Sequence, residues 1–305
     1  MDVVTGSFGY IGKYITKELL ERSREVKTIT THPDKPNPFD GMVKASSYDF
    51  DNPEKLTRNL EGCETLYNTY WIRFNYRQWS FEKAIENTKV LFNCTKKAGV
   101  KKIIHVSVTN VSLQDKLPYY HGKALQEEAL KKSGVEYTIV RPTLVFGIED
   151  ILVNNIAWTI RKFPMVPIFG SGMYKVQPIY VEDLATIAVE ASGLNGSQII
   201  DAIGPETFTY TQFLELISSE LNRNIAFLHT PPSIGIFLGK LIGLFVGDVI
   251  LTKDELSGLM LSKLTSDQTP NGNTLFSKWL QMNKNQIGIE YTSELNRHFH
   301  WKKSE

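Results

Sequence analysis

The residues with the clearest chemical use lie in PYYHGKALQEEAL, where Tyr119 and Lys123 stand four apart at the start of a helical pattern. Positions i and i+4 share a helix face, so a phenol and an ammonium at this spacing point into the same cleft. A Tyr hydroxyl ionises near ~10 in water, and a neighbouring cation favours the charged form, drawing it toward the range that general acid–base work needs. Upstream, KKIIHVSV reads as a strand that ends in VSVTN, and the hydroxyl of Thr109 is placed to hydrogen-bond a substrate carbonyl at that strand end. Ser107, two residues earlier, is the competing hydroxyl.

A second constellation opens the chain. In VVTGSFGYIGKY, Gly6, Gly9 and Gly12 keep a strict three-residue spacing between a β-branched run and the helical stretch YITKELLERS. A diphosphate needs backbone amides that can come close, and a helix N-terminus supplies them with the positive end of its dipole. Glycines there make the tight turn, admit the pyrophosphate and let the helix pack on the strand. The pattern therefore predicts a dinucleotide site.

Strands and helices alternate behind these residues. EVKTITTH, Val43 to Asp49, Thr65 to Tyr70, KKIIHVSV and EYTIVRP read as strands two to six. Helical stretches at EKLTRNL, Ser80 to Ala98 and Tyr119 to Ser133 separate them, the last two stopped by Gly99 and Gly134. Such spacing implies parallel βαβ units with right-handed crossovers. The expected fold is α/β: a Rossmann-type doubly wound sheet over about residues 1–160, with later strands returning near 175–205. A smaller, mainly helical C-terminal lobe is expected over 161–305, housing the substrate.

Composition narrows the classes. The 305 residues carry 34 basic and 33 acidic side chains, without the clustered basic excess of a nucleic-acid binder. Cys63 and Cys94 form no CxxC pair, so no disulfide framework or zinc site is expected, no metal is called for, and a reducing cytoplasm fits best. No room for a signal peptide is seen before the first strand. Ser233 to Ile250 is apolar but interrupted by Lys240 and Asp248, so a packed helix is expected there rather than a span or a peripheral membrane contact. HExxH, GxxxxGK and GxSxG are absent, which argues against metalloprotease, P-loop and serine-hydrolase chemistry.

TGSFGYIG followed by YYHGKALQE resembles the extended and atypical branches of the short-chain dehydrogenase/reductase superfamily, with their TGxxGxxG loop and YxxxK pair. The overall style is closest to the atypical branch that holds NmrA-like proteins and the NADPH-binding accessory subunit of respiratory complex I. The resemblance implies cofactor contacts from Gly6, Ser7, Phe8, Gly9, Tyr10, Ile11 and Gly12. It also implies adenine contacts from Asp49 and Phe50, and ribose contacts from Asn68, Thr69 and Tyr70. RPTLVFG, with Pro142 and Val145, would flank the nicotinamide. Tyr119 would be the general acid/base, Lys123 its pKa-lowering partner and ribose ligand, and Thr109 the carbonyl-polarising hydroxyl. The implied activity is an NAD(P)-dependent oxidoreductase or epimerase of a small carbonyl or hydroxyl compound, working as monomer or homodimer. The alternative is a protein that binds NADP(H) as structural ligand or redox sensor. The connection from Thr109 to Tyr119 is shorter than in the family's sugar-nucleotide epimerases, which argues against a nucleotide-sugar substrate.

The end of the second strand selects the nucleotide. An acidic side chain there binds the 2′-hydroxyl of NAD and repels the 2′-phosphate of NADP. TITTHPDK offers Thr31, His32 and Lys35 instead, which favours NADP(H); Asp34 is the residue able to reverse that preference, and a solvated loop is the plain alternative. YNTYWIRFNYRQWSF concentrates aromatics with Arg73 and Arg77 after the fourth strand, suited either to a flat substrate with an anionic group or to a packed loop. His105 reads as a packed core residue, and Gln126, Glu127 and Glu128 as a solvated helix face.

Overall fold

The computed structural model describes residues 1–236, 243 and 247–298. In chain order its first half contains β1 (Asp2–Thr5), α1 (Tyr10–Glu21), β2 (Val26–Thr30), β3 (Lys44–Ser47), α2 (Pro53–Leu60) and β4 (Thr65–Asn68). Then come α3 (Phe81–Lys97), β5 (Lys102–Val106), α4 (Pro118–Lys131) and β6 (Glu136–Pro142). The second half contains β7 (Leu144–Phe146), α5 (Leu152–Lys162), β8 (Met165–Phe169), β9 (Lys175–Val176), β10 (Pro178–Tyr180) and α6 (Val181–Glu190). It continues with β11 (Gln198–Ala202), β12 (Phe208–Thr209), α7 (Tyr210–Glu220), β13 (Ala226–Thr230) and helices Lys253–Met260, Phe276–Asn283 and Glu294–His298.

Two compact units result: Met1–Pro142 with Val181–Ala202, and Thr143–Tyr180 with Ile203–Glu305. The first is built on a seven-stranded sheet of order β11-β6-β5-β4-β1-β2-β3, in which every pairing is parallel. The crossover from β1 runs toward β2 and that from β4 toward β5, so the winding reverses between β1 and β4. With right-handed connections this puts α1 and α6 on one face and α2, α3 and α4 on the other, each layer in mutual contact. The result is a doubly wound Rossmann-type fold. Strand residues such as Val3, Val4, Leu66, Ile103, Ile104, Ile139 and Val140 are wholly buried, as strands covered on both faces require.

The second unit begins at Thr143, earlier than the boundary near residue 160 expected from the sequence. The reason is pairing: β7 adds to β10 rather than to the large sheet. Two further strand pairs, β8 with β13 and β9 with β12, accompany the helices of this unit. Its core gathers Phe146, Val153, Ala157, Ile160, Phe213, Phe276 and Trp279. Within Ser233–Ile250, residues 237–242 and 244–246 lie outside the described residues, and so does the expected packed helix. Among the described residues no helix is long and apolar enough to cross a membrane.

Candidate functional site

All strands of the large sheet run the same way, so the segments after β1, β2, β3, β4, β5 and β6 emerge at one edge. In open α/β sheets ligands bind at this carboxyl edge, at the strand pair where the winding reverses. Here that pair is β1 and β4. The edge gathers Gly6–Gly12, Thr31–Lys35, Asp49 and Phe50, Asn68–Tyr70, Ser107–Thr109 and Pro142.

The glycine turn has the form that its spacing implies. Gly6 has φ +69°, a left-handed conformation that glycine adopts freely, and its N–H donates to the Ile29 carbonyl at 2.9 Å. Gly9 caps α1 with extended backbone. A Cβ at Gly12 would stand 2.3 Å from the Gly6 carbonyl oxygen, so only glycine lets the helix start this close to the strand. The first-turn amides have no carbonyl partner within the helix, and no acidic residue stands in that turn to compete with an anion. Ser7 serves the fold: its N–H donates to Thr28 Oγ1 at 3.0 Å and its hydroxyl accepts from Thr16 at 2.7 Å.

A buried polar network ties the ends of β1, β4 and β5 together. Thr69 donates its N–H to Thr5 Oγ1 at 2.7 Å and its hydroxyl to the Thr5 carbonyl at 2.6 Å. Asn68 Oδ1 accepts from Thr5 Oγ1 and from the Tyr70 N–H, both at 3.2 Å. Asn68 Nδ2 lies 2.9 Å from His105 Nδ1. Burial, then the charge of Lys123, hold the His105 imidazole well below its ordinary pKa, so the ring is a neutral core residue as expected from the sequence. With Nδ1 accepting, the ring proton sits on Nε2.

The proposed adenine side is partly engaged in packing. Asp49, at φ +46°, accepts from Ser47 at 2.7 Å and pairs with Lys55 at 3.0 Å, and these partners hold its carboxyl below the usual range. Phe50 stacks on Tyr48 at 4.8 Å and leans on Tyr70, whose hydroxyl accepts from Asn87 at 2.9 Å. Beyond β2, Thr31 is exposed while His32 and Lys35 are half-buried in a turn closed by Lys35 N–H to the His32 carbonyl at 3.2 Å.

Tyr119 and Lys123 lie one turn apart on α4, whose start is fixed by Pro118 in the first turn. Tyr119 is half-buried. Lys123 is 4% exposed, and its ammonium donates to the Val106 carbonyl at 2.9 Å. Burial pushes its pKa down to about 7, against the opposing pull of Glu127. An amine so depressed is a weaker cationic partner for Tyr119 than the sequence suggested. Thr109 is fully buried and its N–H donates to the Pro142 carbonyl at 3.2 Å. Ser107 is committed elsewhere, donating to Glu127 at 2.6 Å. Val145, the remaining expected cofactor residue, belongs to the second unit, on β7 opposite Ile179.

Two features were missed in the sequence. Gln126 and Glu127 are buried, not solvated: Gln126 donates to Thr88 at 2.6 Å, and Glu127 accepts from Arg141 Nε at 2.9 Å and Nη2 at 2.5 Å. The signal was periodicity, since Lys123 and Glu127 share the helical phase of Tyr120, Ala124 and Leu130, the buried stripe of α4. The second is Trp71. Its ring lies over the Lys123 ammonium, 5.1 Å from Nζ to centroid, stacks on Phe81 at 5.4 Å and meets Tyr119 edge-on at 5.9 Å. Among the described residues no three His, Cys, Asp or Glu side chains cluster so as to hold a metal ion.

Residues 6–147 match the model of the NAD(P)H-binding family. This segment, just under half of the chain, is an NAD(P)H-binding domain. Along the sequence, the chain is 24% identical over 283 residues to the mitochondrial NADH dehydrogenase [ubiquinone] 1 alpha subcomplex subunit 9 of Arabidopsis thaliana, covering 87% of this chain and 70% of the relative. In fold it resembles the NADPH-dependent quinone oxidoreductase of Escherichia coli solved with NADPH, at TM-score 0.74 and 19% identity over 92% of this chain and 99% of that one. A nucleoside-diphosphate-sugar epimerase of Staphylococcus aureus superposes at TM-score 0.68 and 18% identity, covering 97% and 99%.

Proposed function

We propose that this protein is an NADP(H)-dependent oxidoreductase of a small carbonyl or hydroxyl compound, acting in the cytoplasm as a monomer or homodimer. The supporting observation is the convergence at one sheet edge of an anion-ready glycine turn, a β2 end where Thr31 stands at the expected acidic position with His32 and Lys35 following, and the Thr109, Tyr119 and Lys123 set. The first-turn amides of α1 would hold the diphosphate and Lys123 the nicotinamide ribose. When bound, the nicotinamide supplies hydride chemistry. Thr109 orients the substrate oxygen, and Tyr119 Oη gives or takes the proton at that oxygen. Lys123, its pKa lowered to about 7 by burial, would lend Tyr119 only part of the cationic support that a fully charged ammonium gives.

A titration with NADPH and NADH, followed by nicotinamide fluorescence, tests the nucleotide. Binding of NADPH at least tenfold tighter than NADH supports the reading, and equal or reversed affinities overturn the preference. Tyr119→Phe tests the reaction, with turnover lost while NADPH affinity stays within about twofold; an active variant removes Tyr119 from the mechanism.

A second reading, a protein that keeps NADP(H) as a ligand, is favoured by one observation: Lys123 is engaged by Val106 and covered by the Trp71 ring. NADPH that stays unoxidised across a broad carbonyl panel would support this reading, and steady turnover would exclude it.

A further inference from the structure

We infer that the Trp71 indole is an exchangeable occupant of a ring subsite on α4, and that a planar ring reaches the Tyr119–Lys123 face only by displacing it. The nicotinamide end of a dinucleotide would then dock in competition with Trp71, while the adenosine-diphosphate end docks without it. This inference rests on the NAD(P)-binding reading of the glycine turn.

Three observations carry it. First, the indole covers the groups that a reacting ring needs: its face lies over Lys123 Nζ, and its edge meets Tyr119. Second, the helix is hollowed to fit a flat ring. A Cβ at Gly122 would stand 2.7 Å from Trp71 Cη2 and 3.1 Å from Cζ2, so even one methyl there collides with the indole. Phe81 stacks on the indole, its ring plane within 14° of parallel and its centroid 5.4 Å away. Third, the indole sits there at a cost. Its Nε1–H is buried without a hydrogen-bond acceptor, an arrangement native structures avoid because the donor gives up water for nothing.

The attractive contacts are a cation–π approach and two aromatic pairs, each worth little individually. The unmet donor opposes them. A planar ring of similar area that places no unmet donor there has the advantage over the indole in this slot.

The test separates the two ends of the ligand. The full chain, with Trp71→Phe and Trp71→Ala variants, is titrated calorimetrically with NADPH and with 2′-phospho-ADP-ribose, which lacks the nicotinamide; NADH and ADP-ribose form the parallel pair. Expected is an unchanged affinity for the nicotinamide-free ligands, within about twofold, and a tightening for the intact dinucleotide of about tenfold in Trp71→Ala, equivalent to about 1.4 kcal/mol. Trp71→Phe, which keeps the stack on Phe81 but removes the N–H and shortens the ring, should fall between. It carries the test alone should the alanine variant fail to fold. An unchanged ratio between the two ligands overturns the exchange. So does a selective weakening of the dinucleotide, which would make the indole its platform. If 2′-phospho-ADP-ribose and ADP-ribose bind no variant, the dinucleotide reading fails and the exchange with it.

Discussion

Gly12→Ala tests the geometry on which the nucleotide site depends. The new Cβ would lie 2.3 Å from the Gly6 carbonyl oxygen, 2.7 Å from its carbon and 3.1 Å from the Thr5 oxygen. All three are backbone atoms, and the strand end is anchored by Gly6 N–H to Ile29 at 2.9 Å and Gly9 N–H to Gly6 at 2.8 Å. The helix start must therefore retreat by about 0.7 Å or more, an overpacking cost of about 1–3 kcal/mol. Alanine returns roughly 0.5–1 kcal/mol through helix propensity, which leaves a net loss of about 0–2.5 kcal/mol in stability. Affinity falls further, since displaced amides no longer meet the diphosphate; about 10- to 100-fold is expected. Two substitutions grade the effect. Gly9→Ala brings its Cβ only to 3.2 Å from the Gly6 oxygen and should be mild. Gly193→Ala meets nothing within 4 Å and should leave binding untouched. Urea unfolding and NADPH titration of the three variants give both quantities. A Gly12→Ala protein that binds and unfolds like the wild type would refute the close-approach argument.

Two further outcomes follow from buried charge. Lys123 has its pKa lowered to about 7 in the folded protein, against ~10.4 unfolded, so the unfolded chain binds more protons between those values. Stability should therefore rise with pH from about 7 to 10, by at most ~4–5 kcal/mol, with the full penalty present below pH 7. Lys123→Met should flatten that rise in pH-dependent urea unfolding; identical pH profiles for the two proteins would count against the buried amine. Glu127→Gln leaves Arg141 and Ser107 facing a neutral amide and should cost about 2–4 kcal/mol. The double variant Glu127→Gln with Arg141→Met should recover part of the loss, and strictly additive effects in a double-mutant cycle would show the pair to be uncoupled.

Much of the fold was legible because local rules dictate it. The three glycines declared the turn: Gly6 needs a positive φ and Gly12 a missing Cβ, both properties of single residues. The alternation of β-branched runs with helices stopped by Gly99 and Gly134 declared a parallel sheet, because parallel neighbours require long crossovers. The gathering of Gly6, Asn68, Thr109 and Pro142 at one carboxyl edge followed from the same winding. Residues after Thr143 were less legible, since β7 is short and its partner, β10, comes about thirty residues later. No local pattern says which of two sheets such a strand will join.

The sequence by itself determined the α/β class, the glycine turn and the placing of Tyr119 and Lys123 one helical turn apart, because each depends on spacing within one strand or helix. Only the tertiary structure decided what surrounds them. It buried Lys123 against Val106 and shifted its proton affinity, turned Gln126 and Glu127 inward onto Thr88, Ser107 and Arg141, and laid Trp71 across the face of α4. Those outcomes arise from contacts between segments dozens of residues apart, where desolvation and ring packing depend on which neighbours arrive.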